Sequence, residues 1–386
     1  MTANANTRVD NDRESWEAPL SFARQEEKLP PCQGNCPSGT DIRGWINIIA
    51  QRDKNGLSKL ESFAQAWRRL VEFTPLPSVV GRVCPHTCES ECNRRDKEGA
   101  VSIQCMERFI GDWALEAGLD LPVLNGEGGG ESIGVVGSGP AGLSFAYQMA
   151  RRGYRVTLYE QHDEAGGMLR YGIPAYRLPR EILRGEIERI QRLGVELKLG
   201  VRIGPDISAE ALRAAHSAVF LAIGADKPQR LDIPGDQGAR VIAGTTFMYR
   251  INQGHSVEVG ESVVVVGGGN TAIDAARAAR RLGAWVTMLY RRTRNEMPAI
   301  DEEIDDALSE GVHIEFLAAP LEIREAGGAG GTVVVQRMKL GEPDASGRAK
   351  PVPISGETFE ISASLVIPAV SQEAEWAGLF GLLGDA

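Results

Sequence analysis

Ile133-Gly134-Val135-Val136-Gly137-Ser138-Gly139-Pro140-Ala141-Gly142-Leu143 runs from an apolar strand pattern through a glycine-rich turn into a helix pattern. In such a turn Gly137 permits the tight reversal, Gly139 lets the backbone approach a pyrophosphate, and Gly142 allows strand and helix to pack closely. Ser138, Pro140 and Ala141 complete a loop whose helix N-terminus faces the phosphates. Glu160 ends the next strand pattern, where a carboxylate can bind ribose hydroxyls. With strand, turn, helix and acid in register, the stretch reads as a dinucleotide-binding unit rather than a plain turn.

The same design recurs downstream. Val263-Val264-Val265-Val266 leads into Gly267-Gly268-Gly269-Asn270-Thr271-Ala272, and Val286-Thr287 lie 19 and 20 residues after Gly267, as Val156-Thr157 do after Gly137. Two copies of one unit predict two Rossmann-type domains rather than one long sheet. The second copy has no carboxylate at the position matching Glu160; Tyr290-Arg291-Arg292 stands there instead. An acid would repel a 2′-phosphate, whereas guanidinium groups grip one with paired hydrogen bonds. The first unit is therefore expected to hold FAD, and the second NADP in preference to NAD.

The chain has 386 residues, enough for two or three domains. Its formal charge of -10 opposes nucleic-acid binding, and the polar start and lack of a long apolar run argue against export or a membrane span. A cytoplasmic protein is expected. The six cysteines, Cys32, Cys36, Cys84, Cys88, Cys92 and Cys105, all precede the first nucleotide unit. In a reducing compartment that clustering favours a metal or cluster site over disulfides. Three-residue gaps suit an iron-sulfur cluster better than the two-residue knuckles of zinc modules. Residues 1–124, with helical patterns at 41–51 and 57–73, form the expected helical iron-sulfur domain. The glycine-rich stretch 125–130 links it to an FAD domain at 131–250 and a nicotinamide domain at 251–386.

Gly166-Gly167-Met168-Leu169, Gly172-Ile173-Pro174, Arg177-Leu178-Pro179, Tyr290-Arg291-Arg292 and Met297-Pro298-Ala299 together resemble the glutamate synthase small-subunit family. That family also takes in ferredoxin:NADP transhydrogenase subunits, the N-terminal part of dihydropyrimidine dehydrogenase and the reductase accompanying dissimilatory sulfite reductase, the last being one candidate branch. The resemblance covers about residues 24–375. It implies a flavin disulfide reductase-like α/β fold preceded by a helical cluster domain. The stretch 166–179, with Gly167, Met168, Leu169, Gly172 and Ile173, would line the flavin, and Ala222-Ile223-Gly224 would hand the FAD domain over to the nucleotide domain.

Relatives carry four cysteines in their first run and bind two four-iron clusters. Here the first two positions fall on Arg24 and Glu27, and a guanidinium has no lone pair to donate. The resemblance therefore implies one 4Fe-4S cluster on Cys36, Cys84, Cys88 and Glu107. A second would have only Cys32 and Cys92, and would be absent or completed by Cys105 or a partner chain. Cys105 otherwise reads as a small buried hydrophobe. His86 is expected in a solvent-exposed loop, and the charged run 301–306 on an exposed helix face.

The implied chemistry is hydride transfer from NAD(P)H to FAD, with electrons passed on to the cluster and then to an accepting partner protein or large subunit. No acid-base side chain is required, so no catalytic residue is named. A disulfide-active flavoprotein needs a cysteine pair near the flavin, and none follows Cys105. The alternative is a non-catalytic electron-transfer or assembly subunit of a larger oxidoreductase. It is kept open by the C-terminus: the fold should re-enter its FAD domain with a strand ending in Gly-Asp, and Gly384-Asp385 come too soon after Val370. The C-terminal FAD segment is expected to be missing.

Overall fold

Two glycines set the crossing at the heart of the N-terminal module. An added Cβ at Gly81 would lie 2.4 Å from the Arg108 amide nitrogen, and one at Gly111 2.5 Å from that of Ser78. Helices α4 (Pro77–Val83) and α6 (Ile103–Glu116) thus pack backbone on backbone. The computed structural model describes residues 29–124, 130–325, 330–345 and 347–382. Arg24, Glu27, Gly384-Asp385 and most of the expected linker lie outside them.

Before this crossing come α1 (Pro31–Gly34), α2 (Ile42–Ala50) and α3 (Lys59–Val71), with α5 (Thr87–Ser90) between α4 and α6. The start of α2 is set by Asp41, whose carboxylate accepts the Gly44 amide at 2.9 Å, and that of α3 by a Ser58/Glu61 capping box. Helix α3 buries Phe63, Ala66, Trp67, Leu70 and Val71.

The first nucleotide unit is a parallel sheet of order β3-β2-β1-β4: β1 Ser132–Val136, β2 Arg155–Tyr159, β3 Glu196–Lys198 and β4 Ala218–Leu221. Helix α7 (Pro140–Ala150) follows β1, while α8 (Met168–Tyr171), α9 (Arg180–Arg192) and α10 (Ala209–Ala215) complete the unit. One continuous core joins it to the helical module, with Trp67, Leu70 and Ile110 packed in the same cluster as Leu143, Tyr147, Leu183 and Ile190. The seam is also polar. Glu186 on α9, fully buried, accepts the Ser78 amide at 2.9 Å and the Arg189 guanidinium at 3.3 Å, and Arg189 lies over the Trp67 ring. A buried charge needs such partners.

After a short strand β5 (Lys227–Pro228) comes α11 (Gly244–Asn252) and then the second unit, of order β12-β6-β7-β8. Its strands are β6 Ser262–Val266, β7 Trp285–Tyr290, β8 His313–Phe316 and, after a detour, β12 Leu365–Pro368; helices α12 (Asn270–Arg281) and α13 (Asp301–Ser309) follow β6 and β7. The detour is an antiparallel sheet of β9 (Ala318–Glu325), β10 (Gly331–Pro343) and β11 (Ala349–Ala363), packed on the nucleotide sheet through Val264, Val266, Val333 and Val335. The repeat read from the sequence is the one observed: β1 pairs with β2 and β6 with β7, both parallel and in matching register.

Two boundaries differ from expectation. A division at 250/251 falls inside α11, whose Phe247 and Met248 belong to the second core, so the crossing lies at the turn after Gly224. The C-terminal stretch also re-enters the first unit. Strand β13 (Gln372–Glu373) pairs antiparallel with β5, and Leu379 is buried against Val136, Tyr159, Ile203 and Leu212. A short return was missed because one apolar side chain and a two-residue strand leave little pattern to read.

Candidate functional site

Two clefts open at the C-terminal ends of the two parallel sheets, where strand order reverses and ligands bind in open α/β folds. The first has a volume of ≈ 880 Å³ and is lined by Gly137, Ser138, Gly139, Pro140, Ala141, Glu160, Gly167, Met168 and Gly224 among the expected residues. Gly137 adopts φ +100, and a Cβ on it would meet the Ala222 carbonyl oxygen at 2.3 Å; one on Gly142 would overlap the Gly137 oxygen at 1.9 Å. Both are glycines for internal reasons. Gly139 is different: its φ of -66 and ψ of -179 suit any residue, and an added Cβ meets no atom within 4 Å. The space kept there is the space a pyrophosphate needs, at the mouth of an 11-residue helix with no side-chain cap.

Glu160 is buried and held rigidly. It accepts the Ser138 amide at 3.0 Å, the Ser138 hydroxyl at 2.5 Å and the His162 amide at 2.9 Å. A carboxylate has about four acceptor positions, so capacity remains for a ribose hydroxyl. Gly142, Leu169, Gly172 and Ile173 do not line this cleft. Leu169 is buried in the first core, Ile173 packs against that core and its carbonyl accepts Arg180 at 2.8 Å, and Gly142 sits beneath the turn. They brace the loop rather than contact its cleft.

Several lining residues were not anticipated. His162, Tyr171 and Tyr249 form an aromatic cluster with ring centroids 4.7 to 5.3 Å apart, Tyr249 being contributed by the second unit. Asp226, just past the crossing turn, has its carboxyl raised by burial, an effect that His162 opposes. Trp376 and Leu379 come from the returning C-terminal stretch. Only Tyr171 carried a sequence signal, since it lies inside the expected flavin-lining run.

The second cleft, of ≈ 1060 Å³, is lined by Gly267, Gly268, Gly269, Asn270, Thr271, Arg291 and Arg292. Ala272, fully buried, supports the turn from behind. Gly269 repeats the logic of Gly139, with its nearest would-be neighbour Pro298 at 3.9 Å. Among the described residues this cleft has four arginines, Arg230, Arg291, Arg292 and Arg348, and no carboxylate. Arg292 does not stand free as expected: its Nε donates to the Ala349 carbonyl at 2.7 Å and its Nη2 to Asp344 at 2.6 Å. Asp344 is 52 residues away in sequence, beyond any local pattern. Arg291 is exposed at the rim.

The cysteines fall into two groups. Cys84 and Cys88 each lie in the electrostatic reach of Cys36 and Glu107, whereas Cys32 is coupled to Cys92. Burial pushes the Cys88 thiol up to about 12, with neighbouring negative groups adding to it, and burial alone raises the Glu107 carboxyl to about 8. Thiols and a carboxyl whose charged forms burial disfavours need a positively charged partner to ionise. Among the described residues no three His, Cys, Asp or Glu side chains converge as a single-ion site requires; a four-iron cluster instead takes thiolates from separated loops. His86 is half-buried rather than exposed. Its backbone has φ 42, its amide donates to Cys84 Sγ at 3.3 Å, and its ring lies 3.6 Å from Glu302. Cys105 is exposed on α6, not buried as expected.

Family comparison covers both parts of the chain. Residues 131–370 match the family model described as pyridine nucleotide-disulphide oxidoreductase. The chain belongs to that family. Residues 25–119 of this oxidoreductase match the dihydropyrimidine dehydrogenase domain II, 4Fe-4S cluster. FAD, NAD(P) and a 4Fe-4S cluster are the cofactors of these modules, and the open space at Gly139 and Gly269 fits the two nucleotides. It is 40% identical to the NADP(+)-dependent formate dehydrogenase subunit beta of Moorella thermoacetica over 99% of this chain and 57% of that one. The identity with a putative glutamate synthase (NADPH) small chain of Cereibacter sphaeroides is 38%, over 77% and 75% of the two chains. It therefore also belongs with the glutamate synthase small chains, while spanning little more than half the length of the Moorella protein. In fold it is similar to Mycobacterium tuberculosis FprA in complex with NADPH, with TM-score 0.53 and 22% identity over 63% of this chain and 71% of that one. No helix among the described residues is long and apolar enough to cross a membrane.

Proposed function

We propose that this chain is the electron-entry unit of a larger assembly, taking hydride from NADPH and delivering single electrons through its cysteine module to a partner protein. The observation that carries this reading is the contrast between the clefts: among the described residues four arginines and no carboxylate line the second, while Glu160 and Asp226 line the first. When bound, FAD accepts a hydride and releases electrons one at a time to a 4Fe-4S cluster.

The chain's own residues do the placing. The turn at Gly139 and the N-terminus of α7 hold one pyrophosphate, and the turn at Gly269 with α12 holds the other. Arg177 ties the first unit to α12 through Asp274, which sets how the two clefts face each other. The shared core of the helical module and the first unit fixes the thiolates relative to the first cleft. Cys36, Cys84, Cys88 and Glu107 would hold the cluster, with the His86 amide donating to one ligand sulfur.

The test is anaerobic purification of the chain, followed by absorbance, iron content and NADPH-driven dye reduction. A flavin spectrum, iron, and faster turnover with NADPH than with NADH support the proposal. A brown, flavin-free protein that leaves the dye oxidised would overturn it in favour of a non-catalytic electron-transfer or assembly subunit. Co-purification identifies the accepting partner.

A further inference from the structure

Resting on the reading of Cys84 as a cluster ligand, we propose that Glu186 on α9 is a positioning residue that sets where the cysteine module holds its cluster relative to the first cleft. Helix α4 ends on that ligand: Cys84 is its C-cap, and the Cys84 amide donates to the Val80 carbonyl at 2.9 Å. The other end of α4 has no cap of its own. Leu76 stands at the N-cap without a side-chain acceptor and Pro77 follows it, so the Ser78 amide needs an acceptor from elsewhere. Glu186 Oε1 supplies it at 2.9 Å, from 108 positions away in the chain.

Both ends of this contact are fixed by further bonds. Ser78 and Glu186 are fully buried. Glu186 gives its second oxygen to Arg189 at 3.3 Å, so the hydrogen bond and the counter-charge use separate atoms. The Ser78 carbonyl accepts Arg82 at 2.8 Å, and Arg82 pairs at 2.7 Å with Asp112 on α6, the helix that carries Glu107. Helix α9 starts beside the first cleft: Arg180, its first residue, donates to the Leu169 and Ile173 carbonyls at 3.1 and 2.8 Å. Glu186 lies six residues after Arg180, and Cys84 six after Ser78, each about 9 Å of helix. A rigid path therefore runs from the loop at the first cleft to a cluster ligand, and the Glu186–Ser78 bond is its joint between the two units. An apolar side chain would fill this core at less cost than a buried ion pair, which favours a role in placement over one in stability.

The test compares Glu186→Ala with Glu186→Gln in the full chain, purified anaerobically. Both variants leave Arg189 without its counter-charge and should lower the thermal midpoint by similar amounts. Only glutamine keeps an oxygen for the Ser78 amide. In Glu186→Ala the paramagnetic-resonance g-values of the dithionite-reduced cluster should shift, and electron transfer from NADPH-reduced flavin to the cluster should slow about tenfold, with iron content retained. Glu186→Gln should restore both. Glu186→Asp, which keeps the charge and shortens the reach, should show the same changes to a smaller degree, and it replaces the alanine variant if that one does not fold. Parent-like spectra and transfer in Glu186→Ala and Glu186→Asp, or a glutamine variant as altered as the alanine one, overturn this proposal and leave the cluster reading standing. A parent chain without iron overturns both.

Discussion

Arg177 and Asp274 meet across the two nucleotide units, with Arg177 Nη1 at 2.9 and 2.7 Å from the two carboxylate oxygens. Both side chains are under 10% exposed, and Arg177 Nε also lies 2.7 Å from Glu303. Arg177 belongs to the loop beside the first cleft and Asp274 to the helix that opens at the second, so this contact sets the relation between them. Arg177→Ala should cost about 3 kcal/mol in denaturant unfolding, because it strands a buried carboxylate. Asp274→Ala in the same background should add less than it does alone. Simple additivity would show that the pair does not act as one unit.

Gly139→Val should abolish flavin binding and leave the fold intact. Its dihedrals suit valine, and the new side chain meets no protein atom within 4 Å at its Cβ. The flavin-to-protein ratio should fall below a tenth of the parent value, with iron content and thermal midpoint preserved. Gly142→Val, by contrast, should misfold, since its Cβ would overlap a backbone oxygen. Normal flavin content in the Gly139 variant would refute the cradle.

Arg291→Ser should raise the Michaelis constant for NADPH about tenfold, or ~1.4 kcal/mol, and that for NADH by less than twofold. The side chain is exposed and sits on the cleft lining. Equal effects on both nucleotides would remove it from phosphate recognition.

Iron analysis should return about four atoms per chain, the content of a single 4Fe-4S cluster. Cys84→Ala or Cys88→Ala should remove them, because these thiols share a group with Cys36 and Glu107. Cys32→Ala should matter less, its partner being Cys92. Eight irons with eight labile sulfides would instead require a second complete ligand set.

Glu310 gives a pH-dependent test. The hydrogen bond from Arg281, against an opposing effect of burial and aided by the hydrogen bond from Arg277, pulls its carboxyl down to about 2. A depressed acid stabilises the fold above its unfolded value near 4.5, and that contribution disappears as pH falls through about 2. Glu310→Gln should therefore cost about 2 kcal/mol at neutral pH. The difference from the parent chain should shrink steadily as pH is lowered from about 4.5. A constant difference across that range would assign the effect to packing.

By itself the sequence determined the two nucleotide turns, the absence of an acid after β7, and a cysteine-bearing helical module ahead of them. These were legible because turn geometry is dictated locally: a left-handed dihedral at Gly137 or a close approach at Gly142 leaves only glycine, and the apolar runs on either side have strand and helix periods. The tertiary structure decided the partners of long side chains. Arg292 was read as a phosphate ligand and is occupied by Asp344 from a hairpin tip. Glu303, expected on an exposed helix face, is half-buried between Arg177 and Arg277. Residues 374–379 return to cover the first cleft through a two-residue strand and Leu379. A guanidinium or carboxylate has the same local propensity whether it meets solvent, a ligand or a buried counter-charge. Which of these it meets depends on segments 50 to 100 residues away, and packing alone brings them together.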